Sequence, residues 1–230
     1  MKKILLLCAA VSLVSTAQAN RGNFYVGPFL GMGVTDGKFT SNSLTSTLKY
    51  NNRIGDKGFL GGLLVGYAYP CNKLFMGFEI SGNLDTTKDK VIGLRDADSI
   101  ETFEMKHRSS YGFAARFGYR TASDTVFFAR LGGEWANYKL TYKALDTGIT
   151  VGNTLGASKS KTKFSFVPGL GIEAPIAGKW RARIEAKYSL PQKVSVITGN
   201  AATSGFTYKN TNARVRTGQT SVVLGATYSF

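Results

Sequence analysis

Apolar residues recur at every second position along this chain, in runs of about ten residues that restart eight times. A period of two is a strand whose two faces meet different surroundings. The first run sets Phe24, Val26, Pro28, Leu30, Met32 and Val34 against Tyr25, Gly27, Phe29, Gly31 and Gly33. In the second, from Phe59 to Tyr69, Leu63, Val65, Tyr67 and Tyr69 alternate with Gly62, Gly66 and Ala68. The third opposes Leu74, Met76, Phe78 and Ile80 to Gly77, Glu79, Ser81 and Asn83. The fourth opposes Tyr111, Phe113, Ala115, Phe117 and Tyr119 to Gly112, Ala114, Arg116 and Gly118. In the fifth, Phe127, Ala129, Leu131 and Trp135 face away from Arg130, Gly132 and Glu134. In the sixth, Phe164, Phe166, Pro168, Leu170 and Ile172 face away from Gly169, Gly171 and Glu173. The seventh alternates strictly, Trp180, Ala182, Ile184, Ala186 and Tyr188 with Arg181, Arg183, Glu185 and Lys187; the eighth runs from about Thr217 to Phe230.

Every charge within these runs falls on the face opposite the large apolar residues. That is the parity a strand needs when one face meets hydrocarbon, where a charge costs several kcal/mol. No stretch after residue 19 offers the roughly 20 consecutive apolar residues of a membrane helix. The connections alternate in length: Pro70 to Lys73, Thr121 to Asp124 and Pro175 to Lys179 are short, whereas 35–57, 85–109, 141–163 and 190–216 are long and polar. The expected fold is all-β, a closed eight-stranded antiparallel transmembrane β-barrel with short periplasmic turns and four long extracellular loops. Closure also removes the sheet edges through which strands aggregate.

The ends of the chain support export to an outer membrane. Met1, Lys2 and Lys3 form a basic start, Ile4 to Val14 an apolar core too short to span a bilayer, and Ala17-Gln18-Ala19 a small-x-small cleavage site. Residues 1–19 are expected to be a cleaved signal peptide and residues 20–230 one barrel domain. Cys71 alone among the cysteines lies beyond that leader, so no internal disulfide is expected in the exported chain. At the other end Leu224, Ala226, Tyr228 and Phe230 share one face and leave a terminal aromatic. Tyr228 and Phe230 look like the signal that the barrel assembly machinery reads in outer-membrane barrels.

Several short motifs carry a family resemblance. Met76-Gly77-Phe78-Glu79-Ile80 is similar to V-G-F-E-M in the third strand of the OmpA transmembrane domain, and Ala115-Arg116-Phe117-Gly118-Tyr119 to its A-K-L-G-Y. Arg130-Leu131-Gly132-Gly133 is similar to its R-L-G-G, Gly171-Ile172-Glu173 to its G-V-E, and Arg183-Ile184-Glu185 to its R-L-E. In strand order these resemble the OmpA-type eight-stranded barrel family, and more loosely the opacity-like surface barrels. The family's peptidoglycan-binding domain has no counterpart here, so a cell-wall tether is not expected. By resemblance, Glu79, Arg116 and Arg183 fall where the family has a lumen gate, in which a carboxylate exchanges basic partners.

An eight-stranded barrel is only wide enough for its own side chains. Inward Glu79, Glu134, Glu173 and Glu185 are therefore expected to meet Arg116, Arg130, Arg181, Arg183 and Lys187, as buried charges must pair. The network is either a permanent plug or a gate. Outside it the sequence is strongly basic, with 29 Lys plus Arg against 14 Asp plus Glu. The third and fourth loops carry Lys143, Lys159, Lys161, Lys163, Lys193, Lys209, Arg214 and Arg216 against Asp146. Such loops suit acidic glycans or host surfaces, or the phosphates of surrounding lipopolysaccharide and outer-membrane lipid. Nucleic acid is not an expected partner at this location.

Catalysis is not expected. His107-Arg108-Ser109 resembles the H-x-S of lipid A deacylases, but Ser110 stands where those enzymes have Asn, and the downstream strand offers no Glu before Glu134. A working imidazole would need a carboxylate to orient it. With one His and Cys71, neither a metal centre nor a cofactor is expected. The functional expectation is a surface protein of the Gram-negative outer membrane, acting in adhesion, surface interaction or envelope integrity through basic loops. A small or gated pore is the alternative.

Overall fold

The computed structural model describes residues 22–43, 49–96, 99–146, 155–198, 201–203, 206–208 and 211–230. The expected signal peptide and Lys209 lie outside them. Twelve strands follow one another: β1 Asn23–Ser43, β2 Lys49–Ile54, β3 Lys57–Cys71, β4 Leu74–Asp85, β5 Lys88–Asp96, β6 Ser99–Arg120, β7 Val126–Asp146, β8 Leu155–Ala177, β9 Trp180–Thr198, β10 Ala201–Thr203, β11 Phe206–Tyr208 and β12 Thr211–Ser229.

Eight of these are the staves of a closed antiparallel barrel, in the order β12-β9-β8-β7-β6-β4-β3-β1, with β1 returning to pair β12. On the extracellular side β2 prolongs the β3 stave along β1, and β5 prolongs the β4 stave along β6. Hairpin β10–β11 stands apart. The short turns fall where expected, with Asn72, Asp124 and Gly178 supplying the positive φ that tight reversals need. The extracellular connections differ from expectation. Much of 35–57, 85–109, 141–163 and 190–216 is strand rather than loop. Backbone pairing persists there with the parity reversed, apolar Met105, Val194 and Val215 packing inward while polar Lys193 and Arg216 face outward, and composition alone hides this.

The outward face is the apolar one throughout the membrane band. Leu30, Leu84 and Leu170 expose 72, 70 and 68 % of their surface, and Phe78, Ile80, Phe117 and Leu224 share that face. Inward side chains pack into three clusters: Tyr25, Phe29, Leu60, Leu64 and Val223; Phe75, Val126 and Phe128; and, towards the outside, Met105, Ala136, Tyr138, Leu140, Val194 and Val215. The closing seam is tight. A Cβ on Gly27 would sit 2.0 Å from the Ala226 carbonyl oxygen, and one on Gly31 would sit 2.2 Å from that of Val222. Only glycine lets β1 lie so close to β12 there.

One seam is incomplete. The β8–β9 ladder runs only from Ala177↔Trp180 to Gly169↔Lys187, whereas β7–β8 continues up to Ala144↔Leu155 and β9–β12 up to Thr211↔Thr198. From Pro168 upward the two strands part, at a level where Phe164 and Phe166 still face lipid. Unpaired backbone is costly in hydrocarbon unless something satisfies it. Pro168 and Pro191 have no N–H to leave unpaired. Ser165 donates to the Leu190 carbonyl at 2.9 Å, and Ser189 donates to Ser165 Oγ at 2.9 Å, so hydroxyls bridge the split. In a Cys71→Ser background, the pair Ser165→Cys and Ser189→Cys is expected to cross-link under mild oxidation, read as altered mobility of unreduced protein. Failure of the cross-link to form would show that the two strands are not held together by this contact.

Candidate functional site: a charged lattice across the lumen

Alternation along six staves aims one charged or hydroxyl-bearing side chain after another at a common level of the lumen. Glu79 from β4 is the hub and is 2 % exposed. Tyr25 Oη donates to its Oε1 at 2.7 Å, and Arg116 Nη1 donates to the same oxygen at 3.0 Å. Arg183 grips both carboxylate oxygens, the second at 3.0 Å, which is the planar fork geometry that makes such pairs strong. Arg116, fully buried, uses Nη2 to reach Glu173 at 2.8 Å. Glu173 in turn accepts from Arg181 Nε at 2.8 Å, and Arg181 Nη1 ends on Asp124 of the periplasmic turn at 2.6 Å. On the other flank Arg183 donates to Glu185. Arg130 Nε lies 3.3 Å from Glu185 Oε1 and 4.0 Å from Glu79 Oε2, ionic contacts rather than aligned hydrogen bonds.

Four guanidiniums and four carboxylates thus form one connected lattice, and at its periplasmic end Asp124 also meets Arg120 at 3.2 Å. Aromatic faces complete it: the Arg116 guanidinium lies 3.8 Å from the Phe128 ring centre and 4.9 Å from that of Phe75, and Arg183 lies 4.9 Å from Phe128. Stacking of this kind favours Arg over Lys. Beside the lattice is a void of about 20 Å³ lined by Phe29, Leu64, Glu79, Arg130 and Lys187, enough for about one water.

Of the nine lumen charges read from the sequence, seven are joined directly. Glu134 and Lys187 face the same space without a direct ion pair among the described residues, and the Lys187 ammonium instead lies 5.0 Å from the Phe29 ring centre. Two participants escaped sequence reading. Asp124 sits in a turn, and Tyr25 faces inward with nothing in the local sequence to name its partner. The stacking ring of Phe75 was legible from its parity between Leu74 and Met76.

Above the lipid-facing band, His107 Nδ1 meets Asp85 Oδ2 at 2.7 Å, and the ring stacks on Tyr138 with centroids 5.0 Å apart. The sequence downstream of His107 offers no Glu before Glu134 to orient this imidazole. Asp85 does so from another strand, a contact that local sequence cannot show. Asp85 also accepts from Gln219 Nε2 at 2.7 Å and from the Thr87 hydroxyl at 2.5 Å, so its carboxylate is held from three sides. The His-x-Ser spacing does not make a nucleophile pair. Ser109 aligns with outward Leu84 while His107 points inward, and His107 Nε2 has no hydrogen-bond partner among the described residues.

The loop cations separate by face. Lys159, Lys161 and Lys163 share the inward side of β8, Lys161 reaching the Ser195 carbonyl across the split. Lys193 and Arg216 are exposed on the outward side. The side chains of Lys143 and Arg214 lie outside the described residues. At the periplasmic end Tyr228 contacts Trp180 and Phe230, with ring centres 5.2 and 5.4 Å apart, and Phe230 N–H donates to the Phe24 carbonyl at 2.9 Å.

No curated protein sequence matches the chain. Among solved structures it is similar to the outer membrane protein OprG from Pseudomonas aeruginosa, at 12 % identity and a TM-score of 0.53, over 91 % of this chain and 96 % of that one. It is also similar to Neisserial surface protein A, at 11 % identity and TM-score 0.41 over 92 and 100 % of the two chains. The third is Ail, the attachment invasion locus protein of Yersinia pestis, at 13 % and 0.36 over 88 and 98 %. At these identities the likeness concerns fold. The family model of the outer membrane protein β-barrel domain matches residues 4–230. With a closed antiparallel barrel, a lipid-facing apolar girdle and this match along nearly its whole length, the chain belongs to the outer-membrane β-barrel domain family and resides in the Gram-negative outer membrane.

Proposed function

We propose that this barrel is a non-catalytic surface interaction protein, whose prolonged extracellular strands and loops contact acidic glycans or host surfaces through clustered cations. One observation carries the reading: the lumen is filled by a lattice of paired charges, while the strands run on beyond the lipid-facing band with Lys159, Lys161 and Lys163 on one face of β8. Such contacts are individually weak, and a rigid array makes them additive. Outer-membrane lipid and lipopolysaccharide surround the wall, and insertion is expected to need the barrel assembly machinery.

The test is attachment of the refolded protein to immobilised heparin in 50 mM salt, compared with Lys159→Glu/Lys163→Glu. A loss of at least ten-fold is expected, since charge reversal converts attraction into repulsion. Equal attachment of both forms sinks the proposal. A porin-like channel is the competing reading. Planar-bilayer currents that are steady and change in Glu79→Ala would move the function into the lumen, whereas silence in both forms is expected here.

A further inference from the structure

Four cations lie in one cross-strand row on the outer surface of the barrel. The register pairs Arg53 of β2 with Lys38 of β1, Lys38 with Arg216 of β12, and Arg216 with Lys193 of β9. All four side chains are exposed, on the same outward face as lipid-facing Val34 and Val222 of β1 and β12. Strands are spaced about 4.8 Å apart, so the row spans roughly 14 Å. Like charges directly opposite each other on neighbouring strands repel. None of the four has an ion-pair partner among the described residues; Asp36, two residues before Lys38 on the same face, is the nearby acid in sequence. On the β6 side of the wall the comparable outward cation Lys106 is matched by Glu104 at 2.8 Å.

Height and neighbourhood indicate what would neutralise the row. Below it, on the lipid-facing side of β7, β8, β9 and β12, Phe127, Leu170, Ile172, Ile184, Ala186 and Val222 line an open apolar groove of about 520 Å³. Seven residues of strand separate Ala186 from Lys193, about 23 Å of extended chain, or roughly 18 Å along the membrane normal at a tilt of about 40°. That is comparable with one leaflet, half of a hydrocarbon core about 30 Å thick. An acyl chain in the groove would therefore carry its headgroup to the row.

We infer that the Arg53–Lys38–Arg216–Lys193 row and the groove beneath it form a binding site for a phosphorylated outer-leaflet glycolipid, with the phosphates of lipid A on the cations and an acyl chain along the apolar strip. A sulfated glycan arriving from outside is disfavoured, because the row faces sideways into the leaflet at the rim of the band. The site is independent of the β8 lysines on which the adhesion proposal rests.

The test is native mass spectrometry of the refolded barrel in zwitterionic micelles, titrated with diphosphorylated lipid A, monophosphoryl lipid A or a heparin fragment. Wild type is compared with Lys38→Gln/Arg216→Gln and with Lys159→Gln/Lys163→Gln, each confirmed as folded by heat-modifiable mobility. Wild type is expected to retain one diphosphorylated lipid A, to bind the monophosphoryl form several-fold more weakly, and to lose about ten-fold in affinity in the row variant only. Undiminished lipid A binding by the row variant overturns the inference. So does loss of heparin binding in that variant with lipid A binding intact, which would give the row to glycans. Failure of the β8 variant to affect heparin would count against the adhesion proposal alone.

Discussion

Glu79→Gln is expected to cost the barrel about 3–5 kcal/mol, the scale for removing one partner of a buried ion pair. The substitution keeps shape and removes charge. Arg116 and Arg183, both almost wholly inaccessible, would lose their shared carboxylate, with Arg130 4.0 Å from it. The adjoining void holds about one water, too little to stand in for a carboxylate that serves two guanidiniums. The measurement is a urea titration of the folded fraction in micelles, read by heat-modifiable mobility. Glu134→Gln serves as control: half-buried and without a direct ion pair, it should change stability by no more than about 0.5 kcal/mol. The double variant Glu79→Gln/Arg183→Gln should cost less than the sum of its singles, because it no longer strands one guanidinium. Equal losses for Glu79→Gln and Glu134→Gln would mean that the lattice does not hold the staves together. The prediction concerns breaking the lattice, not its worth against an apolar core, which could match it.

The membrane half of this fold was legible because two-fold alternation is local. Glu79 between Phe78 and Ile80, or Arg183 between Ala182 and Ile184, declares its face without knowledge of any neighbour. Which charges meet was only partly legible. Register decides that Glu173 lies opposite Arg183 in the ladder yet bonds Arg116 and Arg181, and such choices depend on side-chain reach across a lumen. Asp124 illustrates the limit: its turn position and positive φ were readable, but its pairing with Arg181, 57 residues away, was not. His107 and Asp85 repeat the point at the outer rim. The extracellular strand extensions were hidden for a different reason. There the apolar residues, such as Met105, Val194 and Val215, are few and turn inward among polar neighbours, a pattern that propensity alone separates poorly from a polar loop. The row from Arg53 to Lys193 joins four strands drawn from two regions that read as loops in the sequence, 35–57 and 190–216, and it exists only through their register.

Ile80→Arg tests whether that alternation reports lipid on one side. Ile80 is 60 % exposed and sits in register with outward Val65 on β3 and outward Phe113 on β6, while its neighbour Glu79 is buried in the lumen. A guanidinium at Glu79's level but on the other face should meet hydrocarbon, at a cost of about 2–4 kcal/mol near the bilayer midplane. Asp36→Arg, on the same outward face but above the apolar band, should change stability by about 0–1 kcal/mol, because cost falls towards the interface. Both belong in folding titrations with phospholipid vesicles, since detergent can deform around a charge. A large loss at Ile80 beside a small one at Asp36 fixes both the face and the depth of the band. If the two variants unfold at the same urea concentration, the outward face at Ile80 is not in hydrocarbon. The lumen would then lose its claim to be the protected side, because Glu79 and Ile80 are separated by one peptide unit and only the solvent on each face sets their roles.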